Sequence, residues 1–277
     1  MVTASRWGRR FLFRSVLATL MTFSLTATVP GPAGAVVSPD GFFNEDADVP
    51  QAVRIVQYYT VFTGYERDIA TCTGTIVKPR VVLTAAHCLD MSGDYGHRIE
   101  YISYAKSKPR WVTIRAKNWV IHQRYNESST QNDIGMLFLT KAASGVKIAK
   151  LPPQGDDLLP AFKNLLLLGW GEDQNGRDPA GLAVAIVDDY TAKAPTYFGR
   201  SFNPSTMIAA GRWREDERLF TGACRGDSGG PLFAMFGENA YVVGITSFGI
   251  EDCNGEAPTS FTKVAWYTDW IRANWGR

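Results

Sequence analysis

No run of about 20 consecutive apolar residues occurs in this chain, so an ordinary membrane-spanning helix has no candidate segment. No Cys-x-x-Cys pair occurs either, and with four cysteines and three histidines in 277 residues a zinc or dithiol site has little to build on. No metal or cofactor is expected. Internal repeats are not visible. Acids are missing from the first 35 residues, where Arg6, Arg9, Arg10 and Arg14 fall. The formal charge of +2 therefore belongs to the N-terminus: without those four, 25 of the 29 basic residues face 27 acids. The remainder shows no basic stripe of the kind that tracks a phosphate backbone, so nucleic acid is not an expected partner. What is present is ordinary globular material, 45% hydrophobic and 20% charged with 26 Gly and 14 Pro, which excludes disorder, collagen and coiled coil.

The four arginines precede a largely apolar, uncharged run from Ser15 to Val29, followed by Pro30, Pro32 and the small-x-small triplet Ala33-Gly34-Ala35. A basic, then apolar, then small-residue order is the pattern of a secretory signal peptide, here residues 1–35. Gly8-Arg9-Arg10-Phe11-Leu12-Phe13-Arg14 also fits a twin-arginine signal, so both export routes stay open. On either route the mature chain is expected to start at Val36, to be secreted, and to carry no membrane attachment once the signal is removed. An oxidising destination makes the even set of cysteines legible as disulfides, with three pairings open. Sequential pairing of Cys72 with Cys88 and of Cys224 with Cys253 would close two local loops.

Strand-length apolar segments recur at 53–61, 74–77, 81–84, 111–114, 136–139, 165–168, 183–187, 231–235, 241–245 and 260–262, separated by Gly, Pro, Asn, Asp and Ser clusters. The pattern is all-β. Val264, Tyr267, Trp270 and Ile271 share one face of a terminal helix expected over 262–274. Residues 151–157, with two prolines, a glycine and two acids, read as a linker between two halves, about 49–150 and 158–262. Each half has strands enough for a closed barrel or a sandwich.

Three short motifs carry chemistry. In Leu83-Thr84-Ala85-Ala86-His87-Cys88 a strand runs into small residues and then a histidine, and a neutral imidazole is the natural base for activating a hydroxyl. The other two histidines, His97 and His122, sit among polar residues and are expected to be solvated. In Gly222-Ala223-Cys224-Arg225-Gly226-Asp227-Ser228-Gly229-Gly230-Pro231 a serine is flanked by glycines, which lets backbone N–H groups approach a substrate oxygen closely. Asn132-Asp133-Ile134-Gly135-Met136-Leu137 places an acid at the head of an apolar strand, a turn cap unless a histidine needs orienting.

Together these motifs resemble the trypsin/chymotrypsin family of serine peptidases, in that family's order of His, Asp and Ser. The resemblance spans nearly all of Val36 to Arg277 and includes Gly169-Trp170-Gly171, Met207-Ile208-Ala209-Ala210-Gly211, Ser247-Phe248-Gly249 and the closing Thr262-Lys263-Val264 with Trp270-Ile271. It implies a small secreted member of bacterial type, with two packed six-stranded antiparallel β-barrels, a C-terminal α-helix and a catalytic site at the junction. It further implies Ser228 as nucleophile, His87 as general base and acid, Asp133 as orienter of the imidazole, and the N–H groups of Gly226 and Ser228 as an oxyanion hole. By the same mapping Cys72 pairs with Cys88 and Cys224 with Cys253, Ser247 to Gly249 present backbone to a substrate strand, and the Val36 ammonium pairs with Asp227. The substrate-binding set is Gly222, Ala223, Ser247, Phe248, Gly249 and Thr259. Expected partners are a protein or peptide substrate and proteinaceous inhibitors, with the chain a monomer. The competing class is a catalytically silent member used as a binding or adhesion module.

Four departures from the family's pattern stand out. Cys72-Thr73-Gly74-Thr75 replaces the usual Cys-Gly-Gly-Ser, Phe248 replaces a tryptophan, cysteines that often staple the second barrel are missing, and Val36-Val37-Ser38-Pro39 lacks the usual Gly-Gly. Where trypsin-like members carry an aspartate at the pocket base, this chain has Gly222, and Thr259 falls on a pocket wall with Gly249 at the entrance. The resemblance therefore implies a small or medium apolar P1 residue. Glu251, Asp252 and Glu256 near the rim read as a solvated loop.

Overall fold

Alternating or continuous apolar strands that each bury one face can close their edges only by curling into barrels. The protein, described from a computed structural model, does this twice. The structure describes residues 52–62, 64–90, 95–103, 110–156, 158–159, 165–173, 176–177, 181–237, 239–249 and 253–276. The expected signal peptide, Val36, and the rim acids Glu251 and Asp252 lie outside them.

The first barrel comprises β1 (Ala52–Thr60), β2 (Glu66–Lys78), β3 (Val81–Thr84), β4 (Tyr95–Ser103), β5 (Arg110–Ile121) and β6 (Gly135–Leu139), closed in the order β1-β2-β3-β6-β5-β4 with every pairing antiparallel. The second comprises β7 (Leu165–Gly169), β8 (Ala183–Asp189), β9 (Met207–Arg214), β10 (Leu219–Thr221), β11 (Pro231–Phe236), β12 (Asn239–Phe248) and β13 (Thr259–Lys263). Six of these close as β9-β13-β12-β11-β7-β8 through the pairs Asp188↔Gly211 and Asp189↔Ala210, while β10 is a short hairpin partner of β9. A five-residue helix, α1 (Ala194–Phe198), starts on Pro195 in its first turn. The chain closes with α2 (Val264–Asn274), which buries Val264, Tyr267 and Ile271. The helix begins two residues after the expected start because Thr262 and Lys263 still belong to β13.

Three strands that the apolar segments did not reveal are β4, β9 and the short β10. In β4 the sequence Tyr-Gly-His-Arg-Ile-Glu-Tyr-Ile-Ser alternates buried and half-buried positions, so His97, Ile99, Tyr101 and Ser103 point into the barrel and Arg98 and Glu100 point out. That alternation corrects the reading of His97. Its ring is buried edge-on against Trp119, 4.6 Å between centroids, and is not solvated. His122 is buried as well, between Tyr267 and Trp270 of α2.

One apolar cluster spans both barrels, while a second, including Leu165, Val187, Ile208 and Phe261, fills the second barrel. In the shared cluster Ile55, Leu83, Ile99 and Leu137 of the first barrel pack with Leu168, Phe233 and Ile245 of the second and Val264, Tyr267 and Ile271 of α2. Polar ties reinforce the seam: the Trp170 indole N–H donates to the Ala52 carbonyl at 2.9 Å, and the Trp170 backbone N–H donates to Thr73 Oγ1 at 3.0 Å. The disulfides join Cys72 to Cys88 in the first barrel and Cys224 to Cys253 in the second.

Candidate functional site

The register of β3 against β6 brings the histidine and the acid together. Thr84 pairs with Gly135, so the residues just after β3 and just before β6 run side by side, which brings His87 up to Asp133. Both strands are buried along their whole length, and this fixes the two ends. Asp133 has no exposed surface. Its Oδ1 accepts the His87 backbone N–H at 3.0 Å, and its Oδ2 meets His87 Nδ1 at 2.8 Å and accepts the Ser247 hydroxyl at 2.6 Å. A buried carboxylate with three donors is satisfied, whereas an unpaired one would be expensive.

Burial disfavours the charged imidazolium of His87, but the hydrogen bond and the charge of Asp133 outweigh it and hold His87 above the ordinary histidine value. Its side chain remains about one-third exposed, at 32%, so the far side of the ring can reach a substrate. His87 Nδ1 is committed to Asp133, which leaves Nε2 as the working nitrogen.

The serine loop lies between β10 and β11 and is pressed against the turn that carries His87. The Ser228 carbonyl accepts the Thr73 N–H at 2.8 Å and lies 3.5 Å from Cys88 Sγ, while Thr73 Oγ1 donates to the Gly226 carbonyl at 2.8 Å. A Cβ on Gly229, where φ is +78°, would stand 2.0 Å from Thr84 Oγ1 and 2.5 Å from the Thr73 carbonyl oxygen, so only glycine allows this approach. Within the loop the N–H groups of Asp227, Gly229 and Gly230 are bonded to carbonyls. Among the described residues, those of Gly226 and Ser228 donate to no acceptor. No hydrogen bond links Ser228 to His87; such contacts often tighten only when substrate binds.

Asp227 is fully buried beneath this loop and accepts the N–H groups of Gly171 and Cys224, each at 2.8 Å. Burial nevertheless pushes its carboxyl up to about 7 against the effect of those bonds. Among the described residues no cation pairs with it. Cys72, His87 and Cys88 cluster closely, but both sulfurs are consumed in the disulfide and offer no thiolate, so the group is not a metal centre.

Of the expected substrate-binding residues, Gly222, Ala223, Gly249 and Thr259 line one pocket together with Phe220 and residues 253–258. Its cavity is only about 20 Å³. The Thr259 hydroxyl accepts the Ala223 N–H at 2.9 Å and would stand 2.8 Å from a Cβ placed on Gly222, so the threonine closes off the floor. Phe248 lies outside this pocket, half-buried with its ring 5.3 Å from that of Phe198. The Ser247 hydroxyl binds Asp133, a role of its side chain in addition to the backbone contact that the resemblance implies. The residue sits where the register of β12 slips against β13, and the bulge re-aims its side chain.

A family model described as Trypsin matches residues 50–271. The chain belongs to the trypsin family. Among the relatives of this trypsin-family chain, the chymotrypsin-like elastase family member 3B of Homo sapiens is 34% identical over 215 residues, which are 73% of this chain and 77% of that one. Proproteinase E of Bos taurus is 33% identical over 223 residues, 75% of this chain and 85% of the relative. The solved structure described as "Structure of GrC" superimposes with a TM-score of 0.62 at 24% identity, covering 81% and 94% of the two chains, which is a likeness of fold. Family membership gives the chain a peptidase role, and so the chemistry of a hydrolase.

Sequence reasoning missed Thr73, whose backbone and hydroxyl tie the serine loop to the first barrel, and Thr262, whose hydroxyl donates to the Asp133 carbonyl at 2.7 Å. Both lie in runs that the sequence singles out, Cys72-Thr73-Gly74-Thr75 and Thr262-Lys263-Val264, but nothing in those runs signals a contact with the other barrel. The geometry of the pair predicts that the His87 ring titrates above 6.5 and that Asp133→Asn, which keeps the burial and removes the charge, drops it below 6.5. Because the folded pKa is the higher one, the pair's contribution to stability is complete below the unfolded value and fades as pH rises through the folded one. Histidine-resolved NMR titration and melting curves across that window check both.

Proposed function

We propose that the protein is an active secreted serine endopeptidase in which Ser228, His87 and Asp133 form the catalytic triad. The observation that carries this reading is the buried Asp133 carboxylate bound to His87 Nδ1, which aims the other ring nitrogen outward from the turn against which the serine loop is packed. Nε2 takes the Ser228 proton as the oxygen attacks the scissile carbonyl, and returns it to the leaving amine; water then repeats the sequence on the acyl-enzyme. The two unoccupied N–H groups of Gly226 and Ser228 suit the developing oxyanion, each such donor being worth roughly 3 to 4 kcal/mol in comparable enzymes. Asp133 keeps the imidazole in the right tautomer and offsets the charge that the ring acquires. A silent binding module would have no use for a base, an orienting acid and a free donor pair in one place.

The narrow pocket floored by Gly222 and Thr259 is the proposed P1 site. Its one charged lining residue among those described, Glu256, is solvent-exposed, and Gly222 and Thr259 offer no charge at the floor, so a lysine or arginine head reaching the floor would be buried without a partner. We assign the small or medium apolar side chains to this pocket. Beneath the oxyanion loop, the free ammonium of Val36, released by signal peptidase, is the proposed partner of Asp227. With its carboxyl pushed from 3.8 up to about 7, this deep acid costs stability that grows as pH rises between those two values and stays at its full size above them unless a cation joins it, and the ammonium would bring its pKa down again.

Three outcomes are expected. Ser228→Ala and His87→Ala abolish peptide hydrolysis and labelling by a fluorophosphonate while the melting transition persists, and Asp133→Asn lowers turnover on the order of 10⁴-fold; near-wild-type turnover in any of the three removes the triad assignment. Alanine or leucine P1 amides are cleaved at least about a hundredfold more efficiently than the arginine amide, and the reverse order of kcat/KM refutes the pocket reading. N-terminal sequencing of secreted active enzyme starts at Val36, and acetylation of that amine abolishes activity; a different start or an active acetylated form discards the Val36–Asp227 pair.

A further inference from the structure

The acid loop is held from behind by the end of the chain. Asp133 lies between two constrained residues: Asn132 has φ +57°, in the left-handed region that asparagine enters more readily than most L-residues, and Ile134 has no exposed surface. Asn132 is gripped on both ends of its amide, with Nδ2 donating to the Arg124 carbonyl at 2.8 Å and Oδ1 accepting the Tyr267 hydroxyl at 3.1 Å. The Asp133 carbonyl oxygen accepts the hydroxyl of Thr262 at 2.7 Å, and Thr262 is almost wholly buried. His122 closes the ring: its N–H donates to the Ile134 carbonyl at 3.0 Å, its Nδ1 accepts the Arg124 N–H at 3.3 Å, and its edge packs on Tyr267.

These contacts divide the work on Asp133. The carboxylate is aimed by His87 and Ser247, whereas the backbone that carries it is located by β13 and α2. A carboxylate bound at 2.6 and 2.8 Å tolerates little drift of its own Cα, and Thr262 holds the carbonyl one bond away from that atom. We infer that Thr262 and Tyr267 are positioning residues for the catalytic pair, a clamp by which the C-terminal strand and helix of the second barrel fix the acid that the first barrel presents to His87. The inference deepens the triad reading and rests on it.

The test compares wild type with Thr262→Val, Thr262→Ser and Tyr267→Phe, using melting curves, kcat and KM on a P1-alanine amide, the pH dependence of kcat/KM, and the proton NMR signal of His87 Nδ1–H. Of the ionisable groups around the acid loop, burial pushes the phenols of Tyr125 and Tyr267 up, Tyr267 to about 12, and holds the His122 imidazole below the ordinary histidine value, so the acid limb is assigned to His87 by its own NMR titration. Thr262→Val is expected to lower kcat on the order of tenfold to a hundredfold with KM nearly unchanged, to move the acid limb to lower pH, and to broaden or shift the Nδ1 proton. Thr262→Ser restores all three, and Tyr267→Phe shows the same changes on a smaller scale. A folded Thr262→Val with wild-type kcat, acid limb and Nδ1 signal overturns the clamp, as does failure of Thr262→Ser to rescue. Should Thr262→Val not fold, an unchanged limb and Nδ1 signal in Tyr267→Phe overturn it equally. The Nδ1 signal needs no turnover, so an inactive wild type would count against the peptidase reading while the clamp is still judged on the same samples.

Discussion

A carboxylate with no exposed surface is the constraint around which this molecule is organised. Removing an unpaired charge from water costs several kcal/mol, so Asp133 is tolerable only with its oxygens saturated. The donors come from both halves of the fold: the backbone and ring of His87 from the first barrel, the hydroxyl of Ser247 from the second. Neither barrel could bury this acid by itself. The need to satisfy it makes the seam between the barrels a defined interface, and it places an imidazole about one-third exposed at the mouth of that seam. What the rest of the fold must supply is rigidity, since a donor set at hydrogen-bond distance loses its value when either side drifts.

Thr73 is the second place where the two barrels are made to agree. Its N–H meets the Ser228 carbonyl, its hydroxyl meets the Gly226 carbonyl, and its own carbonyl accepts the Thr84 hydroxyl at 2.9 Å. By holding carbonyls of the serine loop, Thr73 turns that loop's chain direction so that two N–H groups are left facing away. The departure from the family's usual glycine at this position is therefore not a neutral packing change here, because the threonine hydroxyl accepts the Trp170 N–H as well. Asp227 works from the opposite side, drawing the N–H groups of Cys224 and Gly171 beneath the loop. Loop and seam are braced from above and below by buried and part-buried polar contacts.

How much of this the sequence disclosed depends on whether a feature is contiguous. His87, Asp133 and Ser228 each sit in a short run whose residue types are dictated by local geometry, with small residues before the histidine and glycines around the serine. The paired halves were legible because their apolar segments are continuous, and the terminal helix because Val264, Tyr267, Trp270 and Ile271 repeat at helical spacing. Strand β4 was hidden because its inward positions include a histidine and a serine, so alternation carried the signal where hydrophobicity did not. His97 and His122 were misjudged for the same reason: polar neighbours in sequence face outward, while the rings face Trp119 in one case and Tyr267 and Trp270 in the other. Thr73, Thr262 and the side chain of Ser247 act across separations of more than a hundred residues, which no local pattern encodes.

The cysteines missing from the second barrel raise the question of what holds that region in their place. Around the short helix α1 the structure sets an aromatic cluster: Phe198 packs against Phe202 and Phe248, Tyr190 and Tyr197 both meet Phe220 edge-on, and Trp213 covers the other side of Phe220. Centroid separations of 5.0 to 6.0 Å fall in the favourable range for such pairs, each worth about 0.5 to 1.5 kcal/mol beyond its buried area. A network of five therefore matches the few kcal/mol that a disulfide typically contributes. It also does something a disulfide would not. Phe220 lines the pocket and Phe248 sits on the strand beside it, so the packing that stabilises α1 also fixes two edges of the proposed substrate cleft. Stability and cleft shape are carried by the same rings, and the chain can dispense with the covalent staple without loosening the cleft.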